Sequence, residues 1–281
     1  ISYSAIAQAQ AVEEVIVTAT KTERTLQEVP VAVSVVTADT IEKANVVDLL
    51  DLKAVVPSLD ARQYQSTTNA TFFIRGFGNG SNNPGVEPSV AVFVDGVYRS
   101  KIQGQLSDLP MLERIEVLRG PQSTLFGKNA SAGVVNIVTK KPSFENFGKA
   151  TFEVGDYNSK VAKVYYTGPV NDSLAYSFSA NVNQRDGQSN NPTTGNKLND
   201  RDRFGYRAEF LFSPADDFSA RLTFDYDEFD EICCVVGSTS YGAANQVIAL
   251  LGGKVIPDDP FSQSAFFDFD PTSKGENSGI S

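Results

Sequence analysis

Histidine and tryptophan are absent from the 281 residues, and cysteine occurs only as the adjacent pair Cys233 and Cys234. Without histidine the chain supplies no His-based triad and no His-ligated zinc site. Two neighbouring cysteines make neither a metal cage nor a disulfide framework, and a vicinal disulfide and free thiols stay open. Positive charge is scarce: 24 Lys+Arg stand against 34 Asp+Glu, a formal net charge of −10. A nucleic-acid partner, which needs a basic face, is therefore not expected. No apolar run approaches the ~18 residues of a membrane-spanning helix. The longest runs from Val29 to Val36 and contains Pro30. If such a chain enters a membrane, it does so as a barrel. A secreted enzyme is disfavoured too, since no nucleophile motif such as G-x-S-x-G accompanies the missing histidine.

What is present divides into zones. Ala7-Gln8-Ala9-Gln10-Ala11 holds two overlapping small-x-small patterns. Residues 1–11 thus read as the remnant of a secretory signal peptide. Residues 12–29 form a polar lead-in with one β-branched strand, Glu13 to Ala19, followed by the charged Lys21, Glu23 and Arg24. Residues 30–142 mix short strands, short helices and glycines, and residues 148–281 carry long alternating strands.

The alternation is clearest in Ser173 to Arg185. Leu174, Tyr176, Phe178, Ala180 and Val182 line one face, and Ser177, Ser179, Asn181, Asn183 and Arg185 the other. Phe204 to Phe212 repeats it with Arg207 and Glu209 opposite. Phe218 to Tyr226 repeats it with Arg221, Thr223, Asp225 and Asp227 opposite. Segments 150–154 and 162–166 are weaker copies, giving five strands. A strand of ~11 residues at about 3.4 Å per residue, tilted by ~40°, covers roughly the 25 Å apolar band of an outer membrane. A soluble β-sandwich has strands of about 5–6 residues. Gly168–Asp172 and Ser213–Asp217 read as tight turns, and 186–202 as a long polar loop, the asymmetry of an outer-membrane barrel. Five strands cannot close a barrel without leaving unpaired edges in lipid, so further strands are expected beyond Ser281. The tail from Glu228 reads as an extracellular loop.

The middle zone holds the specific motifs. Pro30–Val36 is a strand, with helical stretches from Ala38 and near Val47 to Ala54. Then follow Phe72-Phe73-Ile74-Arg75-Gly76-Phe77-Gly78 and Ser89-Val90-Ala91-Val92-Phe93-Val94-Asp95-Gly96-Val97. The last block runs from Met111 through Glu113-Arg114-Ile115-Glu116-Val117-Leu118-Arg119-Gly120-Pro121-Gln122-Ser123-Thr124-Leu125-Phe126-Gly127 to Lys140. Gly120, Gly127 and Gly133 read as points of tight backbone approach. Gly76, Gly78 and Gly80 are turn residues rather than a phosphate cradle, because no helical pattern follows them. Glu113 with Glu116, and Asp225 with Asp227, fit solvated or lumen-facing positions better than catalytic dyads.

In motif order and spacing the chain resembles the TonB-dependent outer-membrane receptors over about residues 13–230. The resemblance implies an α+β plug domain followed by antiparallel transmembrane β-barrel strands, the start of a 22-stranded barrel. It implies a TonB box at Glu14, Val15, Ile16, Val17, Thr18 and Ala19, which adds as a strand to the periplasmic TonB C-terminal domain. Arg75 and Arg119 are implied to pair with glutamates of the barrel wall on later strands. Asn79, Asn82, Asn83, Tyr98 and Arg99 lie in plug loops and are candidates for substrate contact. The implied activity is active import of a scarce nutrient, foremost a ferric siderophore, across the outer membrane of a Gram-negative bacterium. Iron enters only as part of the transported complex, with no resident cofactor. Uptake of a carbohydrate or other non-iron nutrient, a passive porin-type channel, and a soluble secreted sheet protein are the rival readings.

Overall fold

In a computed structural model, residues 16–18, 21–22, 24–46, 49–63, 70–79, 86–99, 111–215, 217–233, 242–255, 261 and 263–281 are described. They build two unlike sheets. The first belongs to a small α+β unit. A two-residue ribbon pairs β1 (Ile16–Val17) with β2 (Arg24–Thr25). Then come β3 (Val33–Thr37), α1 (Ala38–Lys43), α2 (Leu52–Val55), β4 (Leu59–Gln63), β5 (Ala70–Ile74), β6 (Phe77–Gly78), β7 (Val90–Val94), β8 (Val97–Tyr98), β9 (Leu112–Arg119), α3 (Ser123–Phe126) and β10 (Gly133–Thr139). The main sheet has the order β3-β9-β10-β7-β8. Its middle strand β10 runs parallel to β7 and antiparallel to β9.

All seven residues of β10 are buried. A strand covered on both faces reads as a near-continuous apolar run, as Val134, Val135, Ile137 and Val138 do. One face packs Ile115, Val117, Val135 and Ile137 against Leu49, Leu52, Phe72 and Ile74. The other packs Leu118, Val134, Ala91 and Phe93 against Val17, Val29 and Phe126. Thr37 caps α1 by accepting a hydrogen bond from the Thr40 amide. Only part of the helix expected near 47–54 is seen, as α2; residues 47–48 lie outside the described residues.

Of the three glycines expected at close approaches, one fits that reading. A Cβ on Gly133 would lie 2.4 Å from the Leu118 carbonyl oxygen and 2.5 Å from Ile74 Cδ1. Gly120 and Gly127 have open space around them and serve instead through positive φ, +93° and +85°.

The second sheet is antiparallel throughout, in the order β11-β12-β13-β16-β17-β18. Its strands are β11 (Phe147–Gly155), β12 (Ser159–Asn171), β13 (Leu174–Arg185), β16 (Arg201–Ala215), β17 (Phe218–Ile232) and β18 (Thr272–Ile280). The long loop carries a small hairpin, β14 (Ser189–Asn190) with β15 (Lys197–Leu198). Three expectations need correction. The strands continue through the segments read as five-residue turns, to Asn171 and Ala215. Pro169 is tolerated there because a bulge follows it, with a register shift between Pro169 and Asn171. The tail is not all loop: β18 pairs with β17 as a sixth strand. Its sequence, Thr-Ser-Lys-Gly-Glu-Asn-Ser-Gly-Ile, is polar on both faces and so hid its alternation. Before it lies α4 (Ala243–Leu250), which buries no residue.

Candidate functional site

The six-stranded sheet buries its polar face and bares its apolar one. Phe178 is 43% exposed and Phe210 41%, whereas Glu209 is 3% and Glu231 1% exposed. Phe152, Val164, Tyr166, Phe204, Tyr206, Phe212 and Leu222 share the bare face. Thr167, Ser177, Asn183, Arg203, Arg207 and Thr223 share the covered one. Aromatic rings touch across the bare face, Tyr206 stacking on Tyr226 at 5.3 Å and Phe212 meeting Phe218 edge-on at 6.4 Å. From Phe204 to Phe212 the strand rises about 27 Å, or roughly 21 Å after a ~40° tilt, close to the height of a barrel's lipid band. In water such a continuous apolar patch is an association hazard; in lipid it is the required surface.

Against the polar face sits the α+β unit, held by a six-charge cluster. Asp95 and Gly96 form the two-residue turn between β7 and β8, with φ of 48° and 82°. Both values are positive, as a tight primed hairpin turn requires. The turn projects the Asp95 carboxylate at the wall, where it meets Arg207 Nη2 at 2.5 Å and Arg221 Nη2 at 3.2 Å. The same carboxylate accepts from the Thr139 amide at 2.9 Å and the Thr139 hydroxyl at 2.7 Å. Glu209 takes Arg221 at 2.6 Å and Arg207 Nε at 2.9 Å, and accepts from Ser177 and Thr223. Arg99, just after β8, pairs with Asp225 of β17 at 3.1 Å. Three cations and three anions cancel, and the α+β unit contributes one of each. Removing one member leaves a buried charge short of a partner, at about 3–5 kcal/mol. On the other flank Lys149 of β11 reaches Glu42 of α1 at 2.7 Å in a more exposed pair. Beside it lies a cavity of about 180 Å³ lined by Ile41, Lys163, Tyr165 and Asn181, among others.

Residues 16–18 are docked on the far face of β9–β10. Val17 is fully buried. Thr18 donates its amide to Glu116 Oε1 at 2.8 Å, and its hydroxyl lies 3.2 Å from the same oxygen. Asn136 Nδ2 donates to Glu116 Oε2 at 3.1 Å and to Thr18 Oγ1 at 3.2 Å. Arg114 Nε completes the set at 2.8 Å. Glu116 is thus no solvated carboxylate: it is fully buried, and only Glu113 is exposed. The register puts Glu116 directly opposite Asn136.

The other expected site residues fall as follows. Glu14, Val15, Ala19, Asn82 and Asn83 lie outside the described residues. Arg75 is exposed in a turn like that of Asp95, with φ of 54°. Arg119 is half-buried and reaches the Ala32 carbonyl at 3.5 Å. Neither meets an acidic side chain among the described residues. Asn79 donates to the Glu87 carbonyl, and Tyr98 accepts from Asn129 at 2.7 Å. Arg99 is engaged with the wall rather than open to a ligand. The resemblance points to Arg75 and Arg119 of the plug, whereas the plug side of the charge anchor is Asp95 with Arg99. Its signal was the alternation Arg207, Glu209 and Arg221, Thr223, Asp225 on neighbouring polar faces. Cys233 is buried and disulfide-bonded, which excludes the free-thiol reading for it. In the loops around the β14–β15 hairpin, Asp270 accepts from Asn196, Thr194 and Asn191, and the first two bonds hold its carboxyl below the usual range.

A wall that is greasy outside and charged inside, with a small α+β unit clamped to its inner face, defines a plugged β-barrel of the outer membrane. Residues 25–134 match the TonB-dependent receptor plug domain. The chain belongs to the TonB-dependent outer-membrane receptors. It is 32% identical over 197 residues to a pesticin receptor of Yersinia pestis, covering 68% of this chain and 29% of that protein. It is 28% identical over 219 residues to a vitamin B12 transporter of Vibrio vulnificus, covering 76% of this chain and 34% of that protein. Its fold superposes on the ferric yersiniabactin uptake receptor of Yersinia pestis with a TM-score of 0.68 at 27% identity, covering 72% of this chain and 32% of that one. The chain thus spans about a third of the length of these relatives.

Proposed function

We propose that this chain is the plug and first wall strands of a receptor that imports a ferric siderophore across the outer membrane by coupling to TonB. The observation that carries the reading is the Asp95–Arg207–Arg221–Glu209 cluster. It clamps the plug to the inner face of a membrane wall, so passage requires the plug to rearrange rather than a pore to stand open. In this reading residues 1–11 are the end of an export signal and residues 12–29 hold the coupling segment. Substrate binds outside, among loops that include Asn79, Asn82, Asn83 and Tyr98. Residues 14–19 then add as a strand to the TonB C-terminal domain, and force travels through main-chain hydrogen bonds. Arg75 and Arg119 meet their glutamates on later strands. Support for iron comes from the solved relative, a ferric yersiniabactin receptor. A non-iron nutrient is favoured by one relative, the vitamin B12 transporter.

The test uses the complete receptor in cells. Uptake of labelled ferric siderophores is measured under iron limitation for wild type and Val15→Pro. Uptake lost with the proline, while surface binding persists, is the expected result. Uptake that ignores the proline removes energy coupling and points to passive passage. Absence of siderophore binding moves the substrate to another nutrient.

A further inference from the structure

In this structure the described part of the coupling segment offers a partner little to grip. The backbones of Ile16 and Val17 are paired with Thr25 and Arg24. The Val17 side chain is sunk among Ala91, Phe93, Leu118 and Phe126. Thr18 spends its amide and its hydroxyl on Glu116. β1 has one strand neighbour, β2, so what withholds the segment is the burial of Val17 and the bonds of Thr18, and these must give way before a partner can add to it.

We propose that Glu116 is the residue that holds this segment docked at rest, and that letting go of Glu116 is the step that frees the strand. The proposal rests on reading residues 14–19 as the coupling segment. The surroundings of Glu116 suit a contact that is made and broken repeatedly. Its carboxylate is fully buried. A buried acid that lost its last partner would resist the change strongly. Here the departing Thr18 leaves Glu116 with Arg114 Nε at 2.8 Å and Asn136 Nδ2 at 3.1 Å. Arg114 in turn keeps Glu113 as a second acid. The charge therefore stays balanced in both states, and Thr18 exchanges its bonds for water. Asn136 sets the selectivity of the docked state, because its single amide nitrogen touches both Thr18 Oγ1 and Glu116 Oε2. Only a residue with a hydroxyl at position 18 completes that triangle. Glu116 acts as a positioning residue: it sets when the segment is available and takes no part in binding the nutrient.

Val17 supplies the readout, since a group that is fully buried when docked is reached by reagents only after release. The experiment follows maleimide labelling of Val17→Cys in the complete receptor, in outer-membrane vesicles without nutrient or TonB. Cys233 is already disulfide-bonded and does not compete. Slow labelling is expected in the Val17→Cys parent. Adding Glu116→Gln is expected to raise the rate about tenfold, the size of one lost hydrogen bond to a charged group. Adding Thr18→Val keeps the amide bond and is expected to give about threefold. Thr18→Ser is expected to stay at the parent rate, and the thermal midpoint of the barrel to stay unchanged throughout. A parent rate retained in Glu116→Gln overturns the proposal, as does fast labelling in the parent. Should Glu116→Gln fail to assemble, Thr18→Val decides, and no acceleration there overturns the proposal equally. The labelling needs neither TonB nor nutrient. Its outcome is therefore separate from the Val15→Pro uptake result, which alone tests the coupling reading.

Discussion

In the plug, the buried side chains are mostly apolar, such as Ile115, Val117, Leu118, Val135 and Ile137, with Glu116 an exception; in the wall they are mostly polar, such as Arg203, Arg207, Glu209, Thr223 and Glu231. Both regions are β-sheets, and both are built on the two-residue period. The difference is the solvent each expects. The plug gains its stability from apolar area removed from water, about 25 cal/mol per Å². The wall places that same apolar surface against lipid and must satisfy its charges inward, by pairing them. One region is therefore sensitive to lost volume, the other to lost partners, and substitutions separate the two.

The largest effect is expected where the two chemistries meet. Asp95→Ala strips a shared acid from Arg207 and Arg221 and should lower plug stability by about 3–5 kcal/mol. Differential scanning calorimetry of the complete receptor reads this, and an unchanged plug transition means that the cluster does not clamp. Inside the plug, Ile115→Ala removes volume without touching charge, at about 2–5 kcal/mol. Per carbon removed, Val161→Ala on the wall's inner face is expected to cost clearly less, and an equal cost per carbon would mean that the wall is as sensitive to volume as the plug. On the bare face, Phe178→Arg near the middle of the band should cost about 2–4 kcal/mol and reduce membrane assembly, whereas Asn at the inward Ser179 should be silent. Equal assembly of both variants would argue that Phe178 does not face lipid. Gly133→Ala drives a methyl into the Leu118 carbonyl and Ile74, at about 1–3 kcal/mol. Chemical denaturation should show it in the plug alone.

The smallest effect lies in the loops around the β14–β15 hairpin. The hydrogen bonds from Asn196 and Thr194 lower the Asp270 pKa below its usual 3.8. A lowered acid stabilises the folded loop above its usual value, and that contribution disappears as pH falls through the lowered one. Asp270→Asn should thus loosen residues 186–202 at neutral pH, with the contrast to wild type fading below the usual value. Hydrogen exchange that shows the same contrast at low pH as at neutral would remove Asp270 as the clip.

The long wall strands were legible because Phe204 to Phe212 and Phe218 to Tyr226 alternate without interruption. β18 was not, since its alternation joins small polar residues to charged ones and carries no apolar stripe. The plug was legible from its motif blocks, yet its anchor was not. Arg75-Gly76 and Asp95-Gly96 are the same kind of turn, and local sequence gives no sign of which one faces a wall. That is decided by strand order, which brings Asp95 beside Thr139 at the end of β10 through long-range pairing. For a similar reason, nothing local to Glu116 distinguishes a solvated or lumen-facing carboxylate from a buried one. A charge within a strand is ordinarily outward, and the partner that covers it, Thr18, lies 98 residues away.

The order of strands in the plug also fixes how the molecule yields to tension. A load applied at Ile16 meets a ribbon of two residue pairs first, then β3, which is the outermost strand of its sheet. β3 is tied to β9 alone, by five residue pairs beginning at Val33. Peeling from that end ruptures them in succession rather than together. The stiff middle, β9-β10-β7, holds the pulled end through the side-chain bonds of Thr18 and the burial of Val17 rather than through strand pairing, so once those contacts part it keeps its register and Asp95 keeps its aim. The plug is a ripcord sewn to the hem of a fabric whose central weave stays intact.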